Sequence, residues 1–221
     1  MRVRLRNAVI PLLSANILMF ILQAILGSRF TESLMLVSSD VTFRPWILFT
    51  SMFLHGSFSH LFFNMYVLFI FGSLIEQRIG TKRFLILYFI SGIIASFSAT
   101  FFYRAALGAS GALMGVIGVV IMLMPDLKVL LFFFIPMSMR TAGIIIAILD
   151  LFGIFPGVAH IAHLAGLACG LAYGYYLLKK RRQFTRHFVV QPRRASGPYD
   201  YESTITLDEK DIEEYLRNGR L

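Results

Sequence analysis

The fold of this chain is decided by two apolar stretches with regularly spaced glycines, GASGALMGVIG at residues 108–118 and HLAGLACGLAYG at residues 163–174. In a helix, the glycines of the second stretch lie within about 60° of His163, on one face. Stripes of small residues let the backbones of membrane helices approach closely. The two stretches therefore predict two transmembrane helices packed tightly enough for Ser110 to reach His163.

The composition of the whole chain places these helices in a membrane. Of the 221 residues, 57% are apolar and 15% are charged, and the mean hydropathy is +0.72. A soluble domain is closer to half apolar and about one quarter charged, so a soluble globule is excluded, as is a disordered chain. The single Cys169 excludes an intramolecular disulfide and is expected to be inert packing.

A net charge of +9 would suggest nucleic acid as a partner for a soluble protein. Here most basic residues flank apolar runs, and no basic patch interleaved with aromatic residues is present. We therefore expect contacts with the lipid bilayer and none with nucleic acid.

Apolar stretches of suitable composition predict an all-α membrane protein, a bundle of six transmembrane helices. The segment from Lys128 to Met139 is apolar but contains Pro136, and belongs either to the fifth span or to an interfacial loop. The predicted spans cover about 8–27, 47–73, 84–103, 109–124, 141–156 and 159–178.

Basic residues predict the orientation of the bundle. They concentrate before span one, between spans two and three, between four and five, and after six, so both termini are expected in the cytoplasm. Span one is too long for the apolar core of a signal peptide, and we expect it to be retained. We predict a multi-pass protein of the cell membrane. Residues 1–180 would form the membrane domain and residues 181–221 a partly disordered cytoplasmic tail, with Leu207 to Leu216 as a candidate short helix.

Strongly polar residues inside membrane spans are costly and usually functional. Three of them share one predicted depth, because His60 precedes Glu76, Ser110 precedes Asp126, and His163 precedes Lys179 by 16 residues each. At about 1.5 Å per residue they lie about 24 Å above the inner boundary of a core about 30 Å thick. We expect all three just below the outer surface.

These residue types suit acyl transfer to water, most simply the hydrolysis of a peptide bond. A serine becomes nucleophilic when a base accepts its proton, and His163 is the candidate base. His60, Asn64 and the backbone N–H of Ser110 are candidate donors to the oxyanion, because the first N–H groups of a helix lack intrahelical partners. The glycines around Ser110 would allow a tight turn and a close backbone approach; they are Gly108 and Gly111.

No acidic third member of the catalytic unit is evident from the sequence. Asp150 is the only acidic residue within a predicted span, and it lies near the outer end of a helix. We interpret it as a structural hydrogen-bond acceptor, and the catalytic unit as a Ser–His dyad. Four intramembrane histidines are potential zinc ligands, but without H-E-x-x-H or a cysteine pair we expect no metal and no other cofactor.

Five motifs in a fixed order resemble the rhomboid family of intramembrane serine proteases, over about Arg44 to Tyr176. They are Pro45-Trp46 with Phe53-Leu-His55, the spaced series His55, His60 and Asn64, Glu76-x-x-x-Gly80, the G-x-S-G box at Gly108 to Gly111, and Ala162-His163-x-x-Gly166-x-x-x-Gly170. One G-x-S-G box alone is weak, whereas all five on successive apolar spans are highly specific.

The resemblance implies a six-helix core with an aqueous cavity open to the outer side. By matched motif positions, Ser110 would be the nucleophile, His163 the general base, and His60 and Asn64 the oxyanion donors. His55 would be supporting, His160 lacks a matching glycine, and Phe63 would border the substrate entrance. Family members often carry an aromatic residue, packed on the catalytic imidazole, where this chain has Met114; a thioether can also pack on a ring.

The resemblance implies an intramembrane serine endopeptidase acting on transmembrane protein substrates near the outer membrane surface. Two other functions stay open. One is a catalytically silent rhomboid-like protein that binds membrane clients, against which the presence of both Ser110 and His163 argues. The other is a transporter or channel, against which the scarcity of charge at mid-depth argues. The sequence does not define the oligomeric state.

Overall fold

The computed structural model describes residues 8–131, 134–154 and 157–188, and each of the six predicted spans contains at least one helix. A π-helical turn at Leu68–Gly72 joins the helices on either side of it into one continuous rod. The all-α membrane class is confirmed. The helices are α1 (Val9–Leu26), α2 (Ser28–Leu34), α3 (Ile47–Thr50), α4 (Phe58–Val67), α5 (Ser73–Ile79), α6 (Thr81–Ala99), α7 (Ser110–Leu123), α8 (Met139–Leu151) and α9 (His160–Phe188).

Within these described ranges, four helices are long and apolar enough to cross a membrane: Val9–Leu26, Phe58–Ile79, Thr81–Ala99 and His160–Lys180. The helices α7 and α8, with 14 and 13 residues, cover the other two predicted spans. Six crossings stay a prediction. A helix of 14 residues is about 21 Å long, shorter than the hydrocarbon core of about 30 Å, so α7 can leave its first residue below one membrane surface.

The predicted second span, 47–73, is wrong at both ends. The chain forms only the short α3 and a 3₁₀ turn at Ser51–Phe53 before it bends, and α4 begins at Phe58. Ser57 is the N-cap, since its hydroxyl accepts a hydrogen bond from the backbone N–H of His60 at 3.1 Å. The rod then continues to Ile79.

The last helix is longer than predicted. It was expected to end near residue 178, with the tail beginning at residue 181, whereas α9 continues to Phe188. The rest of the predicted tail, with its candidate helix, lies outside the described residues.

Two short antiparallel pairs of strands accompany the helices. β3 (Lys128–Leu131) pairs with β4 (Ile135–Ser138), with Leu130 opposite Pro136. Most of the segment from Lys128 to Met139 therefore forms a pair of strands before α8 and is not part of the fifth span. β1 (Leu36–Val37) and β2 (Ala105–Ala106) join the loops before α3 and after α6.

The centre of the bundle is α7, in which every residue from Gly111 to Val120 is buried. A Cβ on Gly166 of α9 would overlap the carbonyl oxygen of Gly111, and one on Gly170 would overlap that of Gly115. The predicted backbone-to-backbone packing of these two helices is thus confirmed. It fixes the start of α7 against the start of α9.

At the other end of the bundle, Glu76 joins three segments. Its carboxylate accepts hydrogen bonds from the backbone N–H groups of Ala8 (2.6 Å) and Val9 (3.2 Å) and from the hydroxyl of Thr81 (2.8 Å). Glu76 is only 5% exposed. It therefore satisfies the free N–H groups at the start of α1 and ties that helix to the turn between α5 and α6.

Candidate active site

Ser110 is the first residue of α7, and the loop before it is closely held. Gly108 has φ +127°, a conformation that favours glycine, and its N–H donates to the carbonyl of Ser51 at 2.9 Å. A Cβ on Gly108 would lie 2.8 Å from His60 Nε2. Glycine is therefore required here by both its conformation and the close approach of the His60 ring.

His163 lies in the first turn of α9 and meets Ser110 across the helix interface. Its Nε2 is 2.7 Å from Ser110 Oγ, which is a short, well-formed hydrogen bond. With the proton on Nδ1, Nε2 can accept the hydroxyl proton of Ser110. The arrangement suits a serine activated by an adjacent base.

The structure differs from the sequence interpretation at the other ring nitrogen of His163. Asp150 Oδ1 lies 3.2 Å from His163 Nδ1, and the same oxygen lies 2.9 Å from His160 Nδ1. Asp150 is 5% exposed. The chain after α8 folds back, so the last turn of α8 lies beside the first turn of α9. An acidic neighbour of His163, which the sequence did not reveal, is therefore present.

The two side chains predicted to donate to the oxyanion, His60 and Asn64, lie on α4. They line a cavity of about 1120 Å³, which Ser110 and His163 also line. In the part of the chain that the structure describes, the side-chain nitrogen of Asn64 is buried and has no hydrogen-bond acceptor. Leaving a buried donor unpaired is costly, so such a group is a natural partner for an oxygen that develops charge. His60 lies one helical turn before it on the same face.

The remaining predicted residues occupy different surroundings. His55 is buried outside the cavity lining, with its ring edge-on to that of His60 at a centroid distance of 5.1 Å. Gly111 packs against Ala95 of α6, and Met114 is part of the hydrophobic core. Half-exposed Phe63 lines the cavity.

Cys169 and His160 complete the set that the sequence singled out. The hydroxyl of Ser91 donates to Cys169 Sγ at 3.4 Å, within the helix packing. His160 contacts Asp150 and is not among the cavity-lining residues. Across residues 8–131, 134–154 and 157–188, no group of three or more His, Cys, Asp and Glu side chains has the arrangement of a metal site.

Two supporting residues were not found from the sequence. The hydroxyl of Tyr103 accepts from the backbone N–H of Ile161 at 3.0 Å, which fixes the start of α9 beside the cavity. The side chain of Gln23 on α1 accepts from the N–H of His55 at 3.0 Å and donates to its carbonyl at 3.3 Å. Both contacts join segments far apart in sequence, and neither leaves a local pattern. For Asp150, the available signal in the sequence was its predicted position near an outer helix end, close to the level predicted for His163.

Comparison with known proteins identifies the family. The Rhomboid domain profile matches residues 42–180. The chain is 34% identical over 197 residues to human "Presenilin-associated rhomboid-like protein, mitochondrial", which covers 80% of this chain and 51% of that protein. It is 32% identical over 194 residues to "Rhomboid protein 1, mitochondrial" of Saccharomyces cerevisiae, covering 80% and 56%. With "RHOMBOID-like protein 1" of Arabidopsis thaliana the identity is 37% over 172 residues, covering 73% and 44%.

The chain spans about half the length of these curated relatives. The matched profile nevertheless covers α3 to α8 and most of α9. It therefore includes Ser110, His60, His163 and Asn64. The chain belongs to the rhomboid family, a family of membrane proteases.

Proposed function

We propose that this protein is an intramembrane serine endopeptidase that hydrolyses peptide bonds of transmembrane protein substrates near the outer membrane surface. The observation that carries this proposal is the 2.7 Å contact between Ser110 Oγ and His163 Nε2 at the edge of a large cavity. A hydroxyl and an imidazole in hydrogen-bond contact, beside a donor without an acceptor, are the parts that acyl transfer needs.

In the acylation step, Ser110 Oγ attacks the carbonyl carbon of the scissile bond while its proton passes to His163 Nε2. The carbonyl oxygen becomes an oxyanion, which Asn64 Nδ2, His60 and the backbone N–H of Ser110 stabilise. When the intermediate collapses, the C–N bond breaks and the leaving amine takes the proton from His163 Nε2. The product is an ester between the substrate and Ser110.

In the second step, water from the cavity hydrolyses the ester. His163 Nε2 accepts a proton from the water, whose oxygen attacks the ester carbon, and the same donors stabilise the second oxyanion. Collapse breaks the C–O bond to Ser110, and the proton on Nε2 returns to the serine oxygen. The site is then restored for another substrate.

The substrate must bring an extended backbone to Ser110, because a peptide carbonyl in a helix is hydrogen-bonded and hidden. A helix end with small or helix-breaking residues is therefore the expected cleavage region. The cavity, about 1120 Å³ in volume, is large enough for a short extended segment, and Phe63 lies on its lining where an incoming helix would pass.

The surroundings of the site are part of the proposal. The basic residues favour cytoplasmic termini and a site facing the opposite side, with residues 1–180 as the membrane domain and residues 181–221 as the tail. The cell membrane stays a prediction, whereas relatives named as mitochondrial proteins point to a mitochondrial membrane. Fractionation of cells expressing the tagged chain distinguishes the two.

The proposal is tested by reconstituting the purified protein in liposomes with a single-span substrate that carries small and helix-breaking residues near its outer end. We expect cleavage near that end by the wild type and none by Ser110→Ala or His163→Ala. Cys169→Ala is a matched control, because it removes a packed nucleophilic side chain that is not among the residues lining the cavity.

Substrate binding without cleavage by the wild type would contradict the proposal and favour the client-binding alternative. Solute flux through the liposomes, unaffected by Ser110→Ala, would instead favour a transporter. Substrate binding by Ser110→Ala and His163→Ala in the same preparation shows that these variants are folded, so a loss of cleavage can be assigned to the missing side chain.

A further inference from the structure

The last turn of α8 brings one carboxylate oxygen into contact with two imidazoles. Asp150 Oδ1 is 3.2 Å from His163 Nδ1 and 2.9 Å from His160 Nδ1. The side chains of Asp150, His160 and His163 are 6%, 13% and 17% exposed. Water is thus a poor competitor for these contacts, and the two nitrogens must be donors to the oxygen that they share.

This contact determines which nitrogen of His163 carries the proton. A carboxylate can only accept, so Nδ1 must be protonated, and in the neutral ring Nε2 is then the acceptor. Nε2 is the atom 2.7 Å from Ser110 Oγ. The contact of Nδ1 with Asp150 therefore fixes the tautomer in which Nε2 can accept the proton of Ser110.

We propose that Asp150 is a positioning residue of the peptidase: it acts through His163, fixing the ring orientation and the Nδ1–H tautomer, so that Ser110, His163 and Asp150 work as a triad. This inference rests on the proposed function. Asp150 neither contacts the substrate nor takes a proton, and it stabilises the imidazolium that forms when Nε2 accepts the proton of Ser110.

His160 has a different part in this arrangement. It lies one turn before His163 on α9 and contacts the same oxygen of Asp150. This second contact restrains the position of the carboxylate. Removing the contact from His160 leaves the contact from His163 in place. Asp150 therefore matters to the reaction through His163, and His160 matters only in keeping Asp150 still.

The test compares two isosteric substitutions of equally buried carboxylates, Asp150→Asn and Glu76→Gln. We expect Asp150→Asn to lower kcat by at least about 100-fold with KM within about twofold, because an amide can also donate to Nδ1 and favour the wrong tautomer. Glu76→Gln should leave the kcat of the folded protein within about twofold. His160→Gln, which keeps a donor toward Asp150, should lower kcat by less than about fivefold.

The outcomes separate this inference from the proposed function. Full activity of Asp150→Asn, with Ser110→Ala inactive, overturns the inference and leaves the proposed function intact. A loss in His160→Gln as large as in Asp150→Asn also overturns it, since the carboxylate would then act through His160. A wild type that hydrolyses no substrate overturns both.

A spectroscopic measurement decides the matter even where Asp150→Asn fails to fold. In wild-type protein labelled with ¹⁵N-histidine, the ring resonances of His163 are identified by their loss in His163→Ala. We expect Nδ1 to carry a strongly deshielded proton and Nε2 to carry none. A neutral His163 ring protonated at Nε2 overturns the inference.

Discussion

Two carboxylates of equal burial lie at opposite ends of the bundle and have different partners. Glu76 and Asp150 are each 5% exposed. Glu76 accepts from two backbone N–H groups and a threonine hydroxyl, which are fixed parts of the fold. Asp150 accepts from two imidazoles, one of which contacts Ser110.

The difference shows that the burial of an acidic group does not by itself indicate catalysis. What distinguishes the two is whether the partner can change its protonation. The partners of Glu76 keep their protons, so its carboxylate stabilises the fold. His163 gains a proton during the proposed reaction, so the carboxylate beside it affects the rate.

The largest expected effect is on stability, at the Glu76 end. Glu76→Ala leaves the N–H groups of Ala8 and Val9 and the hydroxyl of Thr81 without their acceptor, in a buried region. Losing hydrogen bonds to a buried charge is expected to lower the free energy of unfolding by about 3–5 kcal/mol. Reversible unfolding in mixed micelles measures this change.

The matching control for Glu76→Ala is the activity of the protein that remains folded. Its kcat should equal that of the wild type, since Glu76 is about 24 Å along the rod from His60. A lower kcat in the folded fraction would contradict the expectation that Glu76 affects stability alone and not the reaction.

The next effect is on activity, at the cavity end. Asn64→Ala removes a buried donor without an acceptor, and should lower kcat by about 10²–10³-fold, about 2.7–4 kcal/mol of transition-state stabilisation. The unfolding midpoint should not fall, because the side-chain nitrogen of Asn64 has no hydrogen-bond partner among the described residues. Steady-state kinetics and thermal unfolding of the same sample measure both quantities.

Asn64→Asp is the informative companion of that variant. It keeps the size of the side chain but places a negative charge where the oxyanion forms, so it should be no more active than the alanine variant. If Asn64→Ala instead unfolds more easily at full kcat, Asn64 belongs with Glu76 as a structural residue.

The smallest effect is expected at a third acidic residue, which is accessible to solvent. The hydrogen bond from Ser39, followed by the contact with Arg44, lowers the pKa of Asp40 from its usual value. Its contribution to stability is therefore present above about pH 4 and is lost as the pH falls through the lowered pKa. Asp40→Asn should leave kcat unchanged at pH 7 and lower the unfolding midpoint only slightly, because water screens the contacts of this exposed carboxylate.

Acidification checks this reasoning about Asp40. The wild type should lose slightly more stability than Asp40→Asn as the pH falls below about 4, because only the wild type has this carboxylate to protonate. A large effect of Asp40→Asn at pH 7 would show that a solvent-accessible pair can matter as much as a buried one, and would weaken the comparison.

The pairing of Ser110 with His163 could be predicted because it depends on local, periodic information. Glycines at helical spacing predict which faces of two helices meet, and counting residues to the first charge at the predicted cytoplasmic end predicts the common depth of Ser110 and His163. Both predictions agree with the contact of 2.7 Å. Helical periodicity predicts that His60 and Asn64 share one face of a helix, and both line the cavity that the family resemblance implies.

The contact of Asp150 with His163 could not be predicted, because it depends on how the chain turns after α8. Gly153 and Gly157 have positive φ values of 62° and 77° in that connection, and no periodic pattern encodes such a turn. Likewise, Ser57 sets the start of α4 inside the predicted second span through a single capping hydrogen bond, which hydropathy does not detect. Single side-chain contacts, more than composition, set these details.

The position of a covalent adduct shows whether Ser110 is a nucleophile activated by His163. After treatment with a fluorophosphonate, mass spectrometry of the wild type is expected to find one phosphonylated residue, Ser110, and the modification should disappear in His163→Ala. Modification of other residues only, or equally fast modification of Ser110 without His163, would contradict the claim that these two side chains form a nucleophile and its base.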